Sequence, residues 1–174
     1  KKTLEGWSIA GNTQNFLSSM INFNGCIVAI GDNITRLEKT NFLLLSGAPV
    51  ISLIHPSAIV SKYSSIKLGS VVKANVVIDA FSKIGLACIL GTSATLAHDC
   101  KLMDAVHVSP GANLAGSVEV GQCTWLGIGS TINQGLSIGK NVIIGAGSVV
   151  INDMPDNVVA VGIPSKVIKS NKKL

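Results

Sequence analysis

The sequence is poor in charged residues, in aromatic residues and in long apolar runs, and each shortage excludes a class of protein. Charged residues make up 13% of the chain and hydrophobic residues 47%, a balance that argues against intrinsic disorder. No apolar run approaches the roughly 18 residues of a membrane-spanning helix. Aromatic residues make up only 4%, so the basic and aromatic pattern of a nucleic-acid surface is missing. We therefore expect a soluble globular protein with no membrane span and no nucleic-acid partner.

The net charge of +5 is spread along the chain, with one cluster near its C-terminal end. The cluster consists of Lys166, Lys169, Lys172 and Lys173. Scattered basic residues with a single local cluster favour a small anionic partner, such as the phosphate of a nucleotide, over a long polyanion.

The four cysteines contain no CxxC pair. They are Cys26, Cys88, Cys100 and Cys123, and we interpret them as buried small apolar residues in a reducing compartment. The chain begins Lys1-Lys2-Thr3, without a basic segment followed by an apolar one, so a signal peptide is not expected. Both observations favour the cytoplasm. A disulfide or metal role for these cysteines is the less favoured alternative.

Every sixth residue from Ile54 to Val150 is aliphatic, without exception. The fourth residue after each aliphatic position from Ile54 to Ile144 is small or β-branched, except at Leu136. An amphipathic helix, which repeats about every 3.6 residues, cannot keep this phase. One large and one small inward position per hexad describe a narrow tube filled by its own side chains. The pattern predicts a mainly β protein, a parallel β-helix with roughly three hexads per coil and between about five and six coils.

Two further patterns bear on how this tube is built and where it ends. Residues 158–161 are predicted to form a closing strand, followed by a turn at residues 162–164. Glycine follows the aliphatic position in six hexads, where the chain needs either positive φ or a close approach of backbone. These glycines are Gly85, Gly91, Gly121, Gly127, Gly139 and Gly145.

Residues 1–53 do not share the six-residue phase, and His55-Pro56 marks the junction. We predict a separate α/β unit there, with helices over residues 12–21 and 34–45 and strands over residues 26–30 and 50–54. A loop that leaves a strand and opens a helix is a common ligand site. Gly31, Asp32 and Asn33 form such a loop here, although a plain turn with a helix cap explains these residues equally well.

The regular repeat makes chemically distinct side chains easy to find. His98 and Asp99 fall off both inward positions, so they stand on the outside of the tube, and His107 follows nine residues later. A histidine beside a carboxylate is a suitable proton acceptor near neutral pH. Two unrelated surface histidines are the alternative. Nine residues place the two histidines on different faces of one tube, so they could meet only across an interface between subunits around a three-fold axis.

Metal and serine chemistry find less support in the sequence. In hexapeptide-repeat zinc enzymes two of the three histidine ligands lie five residues apart, a spacing that His55, His98 and His107 do not have. No GxSxG motif occurs either. We therefore expect neither a metal site nor a nucleophilic serine.

Several stretches resemble one family, the sugar O- and N-acetyltransferases of the NeuD/PglD type in the hexapeptide-repeat superfamily. The resemblance rests on residues 96–100 (LAHDC), 107–116 (HVSPGANLAG) and 162–166 (GIPSK), and, for the N-terminal part, on residues 28–33 with Arg36 and on residues 54–58. It implies a left-handed β-helix with a C-terminal cap over residues 54–174. A small, truncated Rossmann-like domain that binds a nucleotide sugar would precede it over residues 1–53.

The resemblance also implies an activity. The activity is transfer of an acetyl group from acetyl-CoA, without a metal. The enzyme would be a homotrimer with active sites between neighbouring tubes. The acceptor would be the 4-amino group of a nucleotide-linked amino sugar, of the UDP-4-amino-4,6-dideoxy-N-acetylglucosamine type, used in bacterial glycan synthesis. O-acetylation of a sialic acid-type sugar and a non-catalytic hexapeptide-repeat scaffold remain as alternatives.

By the same resemblance, His98 is the general base, and Asp99 stands where the family has an acidic residue that raises the basicity of this histidine. His107 would contact acetyl-CoA near its thioester, and the amide of Gly116 would donate to the developing oxyanion. Ile128 and Ala146 would lie along the coenzyme, with Lys166 near its far end.

The sequence departs from the family pattern in several places. Residues 1–24 lack the family's Gly-rich nucleotide loop, which indicates a truncated or processed N-terminal part or an incomplete nucleotide site. Gly91 stands in place of a frequent asparagine, Ala97 in place of an acidic residue found in some relatives, and Ser165 in place of the usual alanine. These departures affect the expected substrate preference more than the reaction type.

Overall fold

The N-terminal part of the chain is a small helical unit with little β-structure. The computed structural model describes residues 3–171. It begins with an antiparallel hairpin, β1 (Thr3–Leu4) and β2 (Trp7–Ser8), continues through α1 (Thr13–Ser18) and a 3-10 turn (Met20–Asn22), and reaches α2 (Asn33–Leu45). The side chain of Asp32 caps α2 by accepting from the amide of Thr35 at 3.0 Å. The two predicted helices are confirmed, with the first shorter than expected.

The strand predicted over residues 26–30 is wrong. The extended segment pairs at a single bridge, Cys26 with Val50. Cys26 donates to the carbonyl of Pro49 at 2.8 Å and accepts from Ile51 at 3.0 Å. Beyond these bonds the described residues offer it no neighbouring strand, so apolar composition alone does not produce a ladder. The predicted strand over residues 50–54 is likewise reduced to this bridge and to a strand that belongs to the tube.

The six-residue recurrence folds into a left-handed β-helix of about six turns. Its walls are three parallel sheets of two-residue strands, which the chain visits in a fixed order. The first face contains β3 (Leu53–Ile54), β6 (Val71–Val72), β9 (Ile89–Leu90), β12 (His107–Val108), β15 (Trp125–Leu126) and β18 (Ile143–Ile144). The second contains β4 (Ile59–Val60), β7 (Val77–Ile78), β10 (Thr95–Leu96), β13 (Asn113–Leu114), β16 (Thr131–Ile132) and β19 (Val149–Val150). The third contains β5 (Ser65–Ile66), β8 (Lys83–Ile84), β11 (Lys101–Leu102), β14 (Glu119–Val120) and β17 (Ser137–Ile138).

Inside the tube, the large aliphatic positions stack into one apolar core. From Val72 to Val150 each is 3% exposed or less, whereas Ile54 at the N-terminal end is 49% exposed. Most hydroxyl groups at the small inward positions bond within the wall, although that of Ser130 has no partner in the described part of the chain. The Ser70 hydroxyl, for example, donates to the carbonyl of Gly85 at 2.9 Å and accepts from the amide of Cys88 at 3.0 Å. Polar residues are therefore tolerated inside because the wall satisfies them.

The corners of the tube follow the same six-residue rule. One residue per corner has positive φ, at every sixth position from Gly69 to Gly147. The glycines that follow the aliphatic position are not these residues. A Cβ on Gly91 would lie 2.5 Å from the backbone nitrogen of Pro110 in the next coil. Close approach of backbone, rather than positive φ, is therefore what requires glycine there.

A short antiparallel pair closes the C-terminal end. β20 (Val158–Val161) continues the first face beside β18, as predicted, and β21 (Lys166–Ser170) returns antiparallel to it. Met154 is buried at the last coil, and its backbone forms an isolated parallel β-bridge with that of Ile138. Lys172 and Lys173 of the basic cluster lie outside the described residues.

Cys88 and Cys100, at inward positions, are buried, as predicted, whereas Cys26 and Cys123 are only partly buried, so the prediction is wrong for these two. Burial raises the pKa of the Cys88 thiol to about 12 and also raises that of Cys100. Neither thiol is an activated nucleophile. No helix within residues 3–171 has both the length and the apolar character to cross a membrane.

Candidate active site

His98 and Asp99 form a pair at the corner between the second and third faces, after β10 and before β11. The ring Nδ1 lies 2.9 Å from Asp99 Oδ2, and the two side chains are 65% and 54% exposed. Asp99 is the corner residue with positive φ, at 60°, a conformation that aspartate tolerates. A carboxylate at this distance favours the tautomer with hydrogen on Nδ1, which leaves Nε2 as a proton acceptor facing solvent.

Gly116 lies directly beside the ring of His98, one coil further along the tube. A Cβ on Gly116 would be 2.6 Å from both Cε1 and Nε2 of His98, so the ring occupies the space that any side chain would need. The carbonyl of Gly116 accepts from Gly135 at 2.9 Å, while its N–H has no hydrogen-bond partner within residues 3–171. A hydrogen-bond donor is thus available next to the proposed base.

Replacing Gly116 by alanine is expected to displace the His98 ring and to lower kcat for acetyl transfer by about 100-fold, the scale of a 1 Å misplacement of a catalytic group. The new methyl group meets only an exposed side chain, so the melting temperature should change little. Steady-state kinetics together with thermal unfolding measure both effects. Full activity in the Gly116→Ala protein would show that the position of the ring does not matter.

His107 lies on the first face, and its ring stacks on the indole of Trp125. The ring centroids are 5.6 Å apart and the planes are 8° from parallel. Trp125 Nε1 donates to Ser109 Oγ at 2.7 Å, which fixes the indole. Burial, assisted by the positive charges of Arg36 and Lys73, lowers the pKa of His107 to about 4. His107 is therefore neutral at physiological pH and can act as a hydrogen-bonding group but not as a cation.

This lowered pKa predicts a pH-dependent stability. Between about pH 4 and 6.5, His107 binds a proton in the unfolded chain but not in the folded protein, so its contribution to stability falls as the pH drops through that window. The fall in melting temperature from pH 7 to pH 4 should therefore be smaller for His107→Asn than for the wild type. Parallel fluorimetric melts measure the difference. Identical pH dependences in the two proteins would contradict a lowered pKa.

The loop at residues 31–33 forms one wall of a groove of about 740 Å³ beside His107. Trp125 and the end of β21 form other parts of its lining. Asn33 is already engaged, because its Nδ2 donates to the carbonyl of Cys123 at 3.0 Å. Asp32 caps α2, which agrees with the alternative prediction of a plain turn with a helix cap. A Cβ on Gly31 would meet no atom within 4 Å, so the backbone there is open to the groove.

Arg36 holds the N-terminal unit on the tube, a role that no pattern in the sequence predicts. Its side chain is buried, with the residue 1% exposed. Nε donates to the carbonyl of Ala87 at 2.8 Å and Nη2 to that of Ala105 at 3.0 Å, in successive coils. Its remaining hydrogen bonds stay within its own unit, to the carbonyls of Ile30 and Gly31 and to Asn33 Oδ1. All five N–H groups of the guanidinium are therefore satisfied.

The residues assigned to the coenzyme lie along the tube rather than around one point. Ile128 and Ala146 are exposed and occupy equivalent places in successive coils, at the corner between the first and second faces. The amide of Gly147 donates to the carbonyl of Ile128 at 2.8 Å and joins the two coils. Lys166 is exposed at the start of β21, near the C-terminal end. The three residues mark a path that an elongated ligand could follow.

One chain does not bring all the predicted site residues together. His98, Asp99 and Gly116 share one corner, while His107 and residues 31–33 share the groove on the first face. Ile128 and Ala146 occupy the corner on the other side of the second face. The described part of the chain contains no group of three or more His, Cys, Asp or Glu side chains placed to hold a metal ion.

A left-handed β-helix of hexapeptide repeats that carries an exposed His–Asp pair is the architecture expected of an acyltransferase of the hexapeptide-repeat superfamily. No protein-family model matches the sequence, and no curated protein sequence matches it. Solved structures do match it, over nearly its whole length, and they identify its relatives.

Perosamine N-acetyltransferase from Caulobacter crescentus, solved as a histidine mutant with CoA and GDP-perosamine, is 36% identical with a TM-score of 0.93, over 98% of this chain and 81% of that one. The acetyltransferase domain of PglB from Neisseria gonorrhoeae is 36% identical with a TM-score of 0.92, over 97% and 82% of the two chains. WeeI from Acinetobacter baumannii is 26% identical with a TM-score of 0.89, over 95% and 80%.

The chain belongs to the acetyl-CoA-dependent sugar N-acetyltransferases of the hexapeptide-repeat superfamily. The resemblance found in the sequence is thus confirmed. The PglB domain was also solved with acetyl coenzyme A, the co-substrate expected for this family.

Proposed function

We propose that the protein transfers the acetyl group of acetyl-CoA to the 4-amino group of a nucleotide-linked amino sugar, of the UDP-4-amino-4,6-dideoxy-N-acetylglucosamine type, for bacterial glycan synthesis. The observation that carries the proposal is the exposed His98–Asp99 pair, with the free N–H of Gly116 beside the ring. The complex of the Caulobacter enzyme with GDP-perosamine, a nucleotide-linked amino sugar, supports the acceptor class.

In the proposed reaction, the sugar amine attacks the thioester carbonyl carbon while His98 Nε2 takes a proton from the nitrogen. The C–N bond forms, and the carbonyl oxygen gains negative charge and accepts a hydrogen bond from the amide of Gly116. The C–S bond then breaks, and the leaving thiolate takes the proton from the imidazolium. The products are the acetamido sugar and CoA. Asp99 stabilises the transient positive charge on His98.

We assign the coenzyme to the path marked by Ile128, Ala146 and Lys166, with neutral His107 near its thioester. This path and His98 occupy different corners of one tube. A neighbouring tube must therefore supply one half of each site, and we propose a homotrimer with active sites between adjacent subunits.

We assign the nucleotide to the groove beside residues 31–33. Its polar contacts would come from the open backbone of Gly31 and from Asp32, whose carboxylate caps α2 and would accept hydrogen bonds from the nucleoside. Asn33 contributes by holding the loop on the tube. Residues 1–53 would then be a partial, Rossmann-like nucleotide-sugar-binding domain, and residues 54–174 the acetyltransferase domain. The four free thiols favour a reducing compartment, so we place the reaction in the cytoplasm.

The test is an acetylation assay with a panel of acceptors. The protein is incubated with acetyl-CoA and UDP- or GDP-linked 4-amino sugars, or with sialic acid, while released thiol is followed and products are weighed by mass spectrometry. We expect amide products from the 4-amino sugars. An ester of sialic acid without any amide would favour the O-acetyltransferase alternative. No thiol release from any acceptor, with an intact oligomer, would favour a non-catalytic scaffold.

A further inference from the structure

The positive-φ corner residues show one exception that the fold does not require. Fourteen corner positions from Gly69 to Gly147 have φ between 53° and 71°, and thirteen carry Gly, Asn, Ala, Ser, Asp or Cys. The exception is Phe81, with φ of 64°. A bulky residue in this region is strained by contacts between its Cβ and the backbone. Strained residues that persist in a regular scaffold cluster at functional sites.

The ring of Phe81 does not compensate for this strain by burial. Phe81 is 58% exposed, and its ring packs against that of Tyr63, itself 60% exposed, with centroids 5.6 Å apart. Tyr63 occupies the same place one coil earlier. The two rings form an apolar surface on the outside of the tube, which we call the aromatic shelf. A fold that required only a corner residue here would use a small one, as it does at the other thirteen positions.

The aromatic shelf is continuous with the His98–Asp99 pair. It borders a depression of about 510 Å³ whose lining also includes Asp99, Lys83 and Lys101. Asp99 occupies the corner position one coil after Phe81. Lys101 pairs with Glu119, whereas Lys83 forms no ion pair within residues 3–171. One unpaired cation of this lining and two exposed rings therefore lie next to the proposed base. The ammonium of Lys62 lies 5.0 Å from the centroid of the Tyr63 ring.

The order of residues along this corner indicates which substrate the shelf faces. Gly116, the proposed oxyanion donor, lies one coil from His98 toward the C-terminal end, and the residues assigned to the coenzyme lie further that way. The shelf lies one coil from His98 in the opposite direction. An acyl donor and an acceptor must approach one base from different sides. The side toward Phe81 is therefore the side left for the acceptor.

We propose that the aromatic shelf of Tyr63 and Phe81 binds the sugar ring of the acceptor and determines its specificity. The inference rests on the proposed function. The C–H face of a pyranose, extended by the methyl group of a 6-deoxy sugar, is apolar and packs on aromatic rings. Lys83 provides a cation on the same side for the negatively charged diphosphate of a nucleotide sugar.

The test uses Phe81→Asn, because asparagine already occupies equivalent corners at Asn75 and Asn141. The substitution removes the ring and relieves the backbone, so we expect an unchanged or higher melting temperature together with an acceptor KM raised about tenfold, and an unchanged KM for acetyl-CoA. Phe81→Tyr should retain the wild-type KM for the acceptor. Asn75→Ser alters a corner away from the shelf and serves as the matched control. If Phe81 had only a structural role, its substitution would lower the melting temperature and would not raise the KM for the acceptor while leaving the KM for acetyl-CoA unchanged.

A second measurement tests the apolar contact itself. The wild type should prefer a 6-deoxy acceptor over its 6-hydroxy analogue, and Phe81→Asn should reduce that preference. An unchanged acceptor KM and an unchanged preference in Phe81→Asn would overturn the assignment of the shelf, while leaving the proposed function in place. If the wild type acetylates no nucleotide-linked amino sugar, the proposed function fails and the assignment of the shelf fails with it.

Discussion

Replacing His98 by alanine is expected to lower kcat for acetyl transfer by about 10²- to 10⁴-fold, the usual contribution of a positioned general base. Without the imidazole, the corner loses the proton acceptor that the carboxylate of Asp99 orients toward the attacking amine. Asp99→Asn keeps the base but removes the charge that stabilises the imidazolium, so its effect should have the same direction and a smaller size. Both side chains are more than half exposed, so neither substitution should change the melting temperature much.

His55→Ala is the matched control for this experiment. His55 is also an exposed histidine, and its Nδ1 lies 2.9 Å from a neighbouring side-chain oxygen, that of Ser57. Its removal should leave kcat unchanged. Added imidazole should restore part of the activity of His98→Ala. It would restore no activity if the loss were caused by misfolding. Unchanged turnover in His98→Ala would rule out His98 as the base and would direct attention to the groove around His107.

The second large effect concerns stability. Replacing Arg36 by methionine should lower the free energy of unfolding by about 2–6 kcal/mol, since each of two buried carbonyls left without a donor costs about 1–3 kcal/mol. For a protein of this size that corresponds to a fall of roughly 10 °C in melting temperature. The reason is that the carbonyls of Ala87 and Ala105 lose their donor, and the N-terminal unit loses two of its bonds to the tube. Arg36→Lys should recover only part of the loss, since an ammonium cannot reproduce the planar fork.

Hydrogen exchange can show where Arg36→Met acts. The amides of α2 should exchange faster, while those of the central coils should remain protected because the core of the tube is separate from the N-terminal cluster. Lys39→Met removes the same charge from the exposed side of α2 and should change neither quantity. Wild-type protection of α2 in Arg36→Met would mean that Asn33 and apolar contacts suffice to hold the unit.

The tube could be predicted from the sequence because its rules are local and repeated. One aliphatic residue in six specifies the inward direction of the whole wall, and Val72 through Val150 confirm it coil by coil. The closing strand at Val158–Val161 also continues the first face, but it pairs with β18 at a separation of 16 residues instead of 18, so the six-residue phase alone does not specify it. A single position carries little information in such a pattern. The phase shared by seventeen positions is enough to predict the fold.

The N-terminal unit was predicted less well because its structure depends on distant partners. Arg36 bonds to carbonyls 51 and 69 residues away, and Asn33 bonds to one 90 residues away. No local pattern records such contacts. The same reason explains the failed strand at residues 26–30, whose length depends on a neighbouring strand and not on its own apolar residues. The sequence signal for the contacts of Arg36 was the place of this arginine among the apolar residues Ile34 and Leu37 of the predicted helix.

The site was predictable in part. His98 and Asp99 could be found because they break the polarity of the repeat, while the role of Gly116 rested on resemblance until its contact with the ring was seen. The stack of His107 on Trp125 could in principle have been found, since the two residues are 18 apart and so adjacent on one face. Phe81 could be recognised only once the positive-φ corners were known, because a bulky residue is unusual only at a position with that conformation.

The strict register of the coils restricts how the length of this enzyme can change. One coil is 18 residues and advances the tube by about 4.8 Å, the spacing of neighbouring strands. Deleting 18 residues between Gly116 and the cap would keep every later side chain on its face and shorten the distance from His98 to Lys166 by that one step. Deleting six would turn everything downstream by a third of a revolution and move the residues assigned to the coenzyme to a different corner. The distance from the proposed base to the C-terminal cap can therefore be altered only in whole coils.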